Sequence, residues 1–82
     1  MKLEAKYAME NLKNTLEAAG GKMTDIVKVK VVFTDLAQAA DFNEVYMTYF
    51  PDYRPARIAM GVAGLLGGAH LELDAVAILD EE

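Results

Sequence analysis

The sequence predicts an α+β fold in which two helices lie on one face of a mixed, three-stranded sheet. Three observations carry this. Residues 2–19 repeat apolar side chains at helical spacing, residues 25–33 alternate at strand spacing, and the elements follow in the order helix, strand, helix, strand, strand. A helix between two strands makes a parallel crossover, so 26–33 and 56–63 should run parallel, and the last strand should return antiparallel.

The first helix presents Leu3, Tyr7, Leu12, Leu16 and Ala19, with Met9 beside them and charges between. Gly20-Gly21 stops it, because glycine accepts the left-handed conformation that ends helices. In DIVKVKVVF, Val27, Val29, Val31 and Phe33 fall on one face and Lys28 and Lys30 on the other. Asp35, with Gln38 three residues on, resembles a capping box opening a second helix from Leu36 to Phe50. That helix would bury Leu36, Ala39, Ala40, Val45, Tyr46, Tyr49 and Phe50, and Pro51 ends it. The PDYRP loop leads to a strand over 56–63, and LLGGA separates it from a strand over 71–79.

Alternation then assigns the faces. Ile58, Met60 and Val62 are large and apolar, as are Leu71 and Leu73, so both sets are expected under the helices. Arg57 and Ala59 would then share the opposite face with Lys28, Lys30, Glu72 and Asp74. A charged face that also carries Val76 and Ile78 reads as a subunit interface holding a polar pocket. Leu65 and Leu66, apolar in a turn, suggest contact with another chain, and His70 reads as a turn residue.

The chain has 82 residues, room for one domain, and 54% of them are hydrophobic, more than so small an interior hides easily. Self-association is the expected remedy. The chain lacks cysteine and has one histidine, which argues against thiolate or His-rich metal sites. A net charge of −5, with Asp80, Glu81 and Glu82 as a solvated acidic end, disfavours nucleic-acid binding. No apolar run is long enough to span a bilayer and no signal peptide opens the chain, so a soluble, cytoplasmic protein is expected.

From Leu3 to Leu79 the chain resembles the RidA family of reactive intermediate deaminases, also called L-PSP endoribonuclease-like. The resemblance rests on NLKNTLEAAG, TDL at a strand end, FNEVY, RPAR and LELDAVA, in that order. It implies a chorismate-mutase-like fold assembled as a homotrimer, with clefts between subunits. It further implies hydrolysis of 2-imino acids to 2-oxo acids and ammonia without a cofactor. Arg57 matches the arginine that binds the substrate carboxylate, and Glu72 matches by spacing the glutamate that handles water. Asp74 lies two residues later on the same face, and Asn43 matches a common family asparagine. Ala59 stands where the family often has cysteine, which weakens a thiol role and leaves the carboxylate clamp intact. From residue types alone, an interfacial ion pair of Arg57 with Glu72 or Asp74 is the plainer reading.

Full-length members carry a further N-terminal hairpin region. The resemblance therefore implies a single RidA-like domain over 1–82 without that region, and a last strand left as an apolar edge that pairs with another chain. Two functions follow: an imine deaminase binding a small imino or oxo acid, or a non-catalytic truncated or engineered assembly protein. Ribonuclease activity, attached by name to some members, fits the acidic charge least.

Overall fold

A computed structural model describes residues 1–79, so the acidic end at 80–82 lies outside the described residues. Helix α1 spans Lys2–Ala18, strand β1 Ile26–Phe33, helix α2 Ala39–Tyr46, strand β2 Ala56–Gly61 and strand β3 Leu71–Ala77. Short 3-10 turns flank α2 at Leu36–Gln38 and Met47–Tyr49, so the second helical stretch runs over 36–49 in three pieces. The sheet order is β2-β1-β3, with β1 parallel to β2 and antiparallel to β3. The α+β class and the strand directions agree with the expectation from sequence. Among the described residues, β3 pairs only with β1 and is an edge.

The local chemistry explains where each element stops. Gly20 adopts φ +85°, and the Gly20 and Gly21 N–H groups donate to the Glu17 and Leu16 carbonyls at 3.1 and 2.8 Å. Those are the two bonds of a Schellman end, closed by glycine because any Cβ resists that φ. Asp35 Oδ1 accepts from Ala37 N–H at 3.0 Å and caps the second helical stretch. The expected capping box is half made, because Gln38 Oε1 is buried without a partner and does not reach back.

The core lies between the sheet and the helices. Ala5, Met9 and Leu16 of α1 meet Ile26, Val29, Val31 and Phe33 of β1 and Phe42, Tyr46 and Phe50 of the second helical stretch. The phase of α1 differs from expectation at its front. Leu3 and Tyr7 are exposed and Ala5 and Met9 are buried, because 5, 9, 12 and 16 form one stripe at i, i+4, i+7, i+11. Leu36 is likewise exposed and Phe42 takes its place in the core. Four aromatics pack in series: Phe33–Phe42 edge-to-face at 5.4 Å, Phe42–Tyr46 at 5.5 Å and Tyr46–Phe50 at 4.9 Å. Burying each such ring stabilises the fold by about 1.5–3 kcal/mol.

Val27 departs from the alternation. The β1–β3 register steps from Ile26↔Ala77 to Lys28↔Val76, so two residues of β1 advance against one of β3. This bulge turns Val27 outward and lets Ile26 into the core. Tyr49 OH donates to Glu10 Oε2 and ties the second helical stretch to α1. Burial, and then that hydrogen bond to Glu10, push the Tyr49 hydroxyl up to about 12. Lys2 pairs with Glu44 at 2.6 Å, and His70 Nδ1 at the start of β3 lies 2.9 Å from Glu4 Oε2. Both pairs are exposed and contribute little.

The radius of gyration, 12.8 Å, exceeds the ~11.7 Å of a compact chain this long. Among the described residues both helices pack on one side of the sheet, and on the other Ile58, Met60, Glu72, Asp74 and Val76 are exposed.

Candidate functional site

Three rows of side chains define each face of the sheet. On the helix side the register aligns Arg57 with Val29 and Ala75, Ala59 with Val31 and Leu73, and Gly61 with Phe33 and Leu71. On the open side it aligns Ala56 with Lys28 and Val76, Ile58 with Lys30 and Asp74, and Met60 with Val32 and Glu72. Partners in a row point the same way. Val29, Val31 and Phe33 are fully buried against the helices, so Arg57, Ala59 and Gly61 face the helices too. A Cβ built on Gly61 would lie 2.9 Å from Leu36 Cγ, which places Gly61 under the second helical stretch.

This corrects the sequence-based facing of β2. Arg57 and Ala59 are not on the face of Glu72 and Asp74; Ile58 and Met60 are, at 45% and 41% exposure. The expectation rested on large apolar residues seeking the helices. In the structure the rings of α2 lie at Arg57 and Leu36 lies at Gly61, while Ala59 stays exposed, so β2 brings no large apolar side chain to the helix side. Its large residues are left to the bare face.

Arg57 is half-buried and its guanidinium lies over two rings of α2. Its Cζ is 4.9 Å from the Tyr46 ring centroid and 5.7 Å from that of Phe42. Phe42 and Tyr46 are one helical turn apart and so present adjacent faces to the strand below. Among the described residues no carboxylate comes within ion-pair distance of Arg57, so the ion pair with Glu72 or Asp74 does not form within the chain. The fork retains its capacity to donate two parallel hydrogen bonds to a carboxylate.

Asn43 belongs to the same helix, half-buried, one turn before Tyr46. Asn43 Oδ1 and the Tyr46 hydroxyl are both buried without a hydrogen-bond partner. Burial raises the Tyr46 hydroxyl above its ordinary range, and the Arg57 charge opposes that rise. The hydroxyl thus stays protonated at neutral pH.

Glu72 and Asp74 are exposed on the opposite face. Glu72 lines an open depression of about 320 Å³ with Gly64, Leu65, Leu66, Ala69 and Leu71. Leu66 there is 99% exposed. From the register, the Arg57 and Glu72 backbones lie two strands and three residues apart, about 10 Å in each direction, with side chains pointing oppositely. Arg57 and Ala59 therefore share the helix side of β2, Asn43 sits next to Phe42 on α2, and Glu72 and Asp74 do not join them within one chain.

What sequence reading missed is the shelf beneath Arg57. Phe42 went unmarked, and Tyr46 was read only as core. The signal was available in FNEVY, whose aromatics stand at i and i+4 on a helix that must cross the arginine-bearing strand. Among the described residues, no cluster of three or more His, Asp or Glu could hold a metal ion, and no helix is long and apolar enough to cross a membrane.

Residues 1–79 match the model of the endoribonuclease L-PSP family. A 2-iminobutanoate/2-iminopropanoate deaminase of Rattus norvegicus is 43% identical over 75 residues, which is 92% of this chain and 55% of that protein. A RutC family protein of Pyrococcus abyssi is 42% identical, covering 94% of this chain and 61% of its own. Among solved structures, RidA from the Antarctic bacterium Psychrobacter superposes with a TM-score of 0.92 at 38% identity, over 96% of this chain and 64% of that one. Escherichia coli TdcF with bound serine gives 0.87 at 37% identity, over 93% and 62%. The chain thus spans about three-fifths of the relatives it matches.

Proposed function

The chain belongs to the endoribonuclease L-PSP, or RidA, family, and on that premise we propose that it acts as a 2-imino acid deaminase within an assembly of several copies. The observation that carries this reading is the Arg57 guanidinium, held over the Tyr46 ring and free of any carboxylate among the described residues. Relatives named as 2-iminobutanoate/2-iminopropanoate deaminases support the substrate class. So does TdcF, whose bound serine carries a carboxylate beside its amino group.

The reaction asks little of a protein. Arg57 takes the substrate carboxylate in a two-bond fork and fixes the plane of the conjugated imine. Water adds to the imine carbon, giving a proton to a carboxylate base that passes it to the imine nitrogen, so the carbon–nitrogen double bond becomes an amine. The resulting carbinolamine then collapses: the same carboxylate moves the hydroxyl proton to the amine, the 2-oxo group forms, and the carbon–nitrogen bond breaks to release ammonia.

Glu72 is the proposed base. It faces away from the Arg57 of its own chain, so the two can serve one substrate only if Glu72 comes from a second copy. Asp74 stands beside it on the same face. Asn43 and Ala59 flank Arg57, the amide as a polar contact and the alanine as an inert wall. The bare sheet face is the surface available for assembly: Val76 is 51% exposed there, alongside Ile58 and Met60. Cytoplasmic residence and a cofactor-free reaction belong to the same proposal.

Freshly generated 2-iminopropanoate, followed by ammonia release, tests it. Arg57→Ala should lower kcat/KM by roughly 100-fold, the worth of a charged two-bond contact. Glu72→Ala should be comparably slow, and the two variants should regain activity when refolded together. Equal rates for wild type and Arg57→Ala would sink the enzyme reading and leave a non-catalytic assembly protein.

A further inference from the structure

We infer that Tyr46 and Phe42 are positioning residues for Arg57, acting through their ring faces and not through the Tyr46 hydroxyl. The inference rests on the reading of Arg57 as the carboxylate site. Arg57 lies near the start of β2, an edge strand among the described residues. An arginine on an edge can extend its long stem into water, and that freedom has to be given up when a ligand is gripped. Here the guanidinium instead sits 4.9 and 5.7 Å from two ring centroids, within the range where a cation is held by the ring quadrupole.

The shelf is rigid. Phe42 is fully buried and Tyr46 is 4% exposed. Each is wedged between further aromatics in the series Phe33, Phe42, Tyr46, Phe50. A guanidinium held over two rings at these distances keeps its N–H donors available to a carboxylate. Ordering that a ligand would otherwise impose is already present before it arrives.

The hydroxyl has no comparable part. It is buried and has no hydrogen-bond partner, a cost to the fold that no contact in the site offsets. Removing it should leave the arginine where it is. Removing the ring should not.

Tyr46→Phe and Tyr46→Leu separate the two, because leucine keeps apolar bulk while abolishing the π face. Two readouts apply to each variant of the 82-residue chain, with urea unfolding as the check that it folds. One is the Arg57 Nε–H resonance of the ligand-free protein, its ring-current shift and its order. The other is the dissociation constant for pyruvate, a stable 2-oxo acid. Wild type and Tyr46→Phe should match on both, with Tyr46→Phe no less stable. Tyr46→Leu should lose the ring-current shift, show a mobile Arg57, and bind pyruvate roughly tenfold more weakly. An unchanged Arg57 resonance in folded Tyr46→Leu overturns the inference. So does a Tyr46→Phe variant as impaired as Tyr46→Leu, which would put the hydroxyl to work. Absence of pyruvate binding in wild type, with the Arg57 resonance still ring-shifted and dependent on residue 46, would remove the functional reading and uphold the shelf.

Discussion

The two faces of this sheet are built from the same three strands, yet they solve opposite problems. The helix face buries Val29, Val31 and Phe33 completely and seats one cation on aromatic rings. The open face sets Lys28, Lys30, Glu72 and Asp74 among Ile58, Met60 and Val76, with no helix above them among the described residues. On the first, β2 supplies the smallest residues; on the second, it supplies the largest. A strand whose bulky side chains point away from its own helices is what the proposed assembly would need, with one face of the sheet covered within the chain and the other from outside.

Three changes sharpen or break that contrast. The largest effect should come from the closed face. Phe42→Ala empties the middle of the aromatic series and should destabilise the fold by about 3–5 kcal/mol, read from urea midpoints. A loss below ~1 kcal/mol would mean that face is not the core. Next comes the open face. Ile58→Lys combined with Val76→Lys should change folding stability by no more than ~0.5 kcal/mol in a monomer while abolishing self-association in sedimentation velocity. If wild type already sediments as a monomer at micromolar concentration, the open face is not an assembly surface. The smallest effect lies at the join between the helices. Tyr49 has its hydroxyl raised to about 12 by burial and Glu10. A group raised on folding contributes stability that is complete below its unfolded value near 10 and is lost as pH climbs through the folded one. Urea midpoints should therefore hold to about pH 10 and fall toward pH 12, and Tyr49→Phe should flatten that decline.

Much of the architecture was legible. The Gly20-Gly21 stop, the Asp35 cap and the alternation of β1 each express a local preference that the fold does not overrule. The misreadings were of a different kind. Leu3 and Tyr7 lost their places to Ala5 and Met9 because hydrophobicity alone does not set the phase of a helix; the fit against α2 and the sheet does. Val27 was turned out by a bulge, which no periodicity announces. The inversion of β2 matters most. Judging Ile58 and Met60 as core assumed that a chain hides its large residues within itself. Arg57 was identifiable from RPAR and the resemblance behind it, but its setting depended on that facing, and so did its separation from Glu72. Both were invisible until β2 was paired with β1.

The irregularity at Val27 has a further consequence for how the chain finds its pairing. A uniform run of valines and lysines could slide two residues along its neighbour and keep every side chain on the proper side. With one surplus residue lodged between Ile26 and Lys28, such sliding leaves the kink opposite the wrong partner, so the misaligned strand pair gains nothing. The defect works as a notch, admitting β3 in a single alignment.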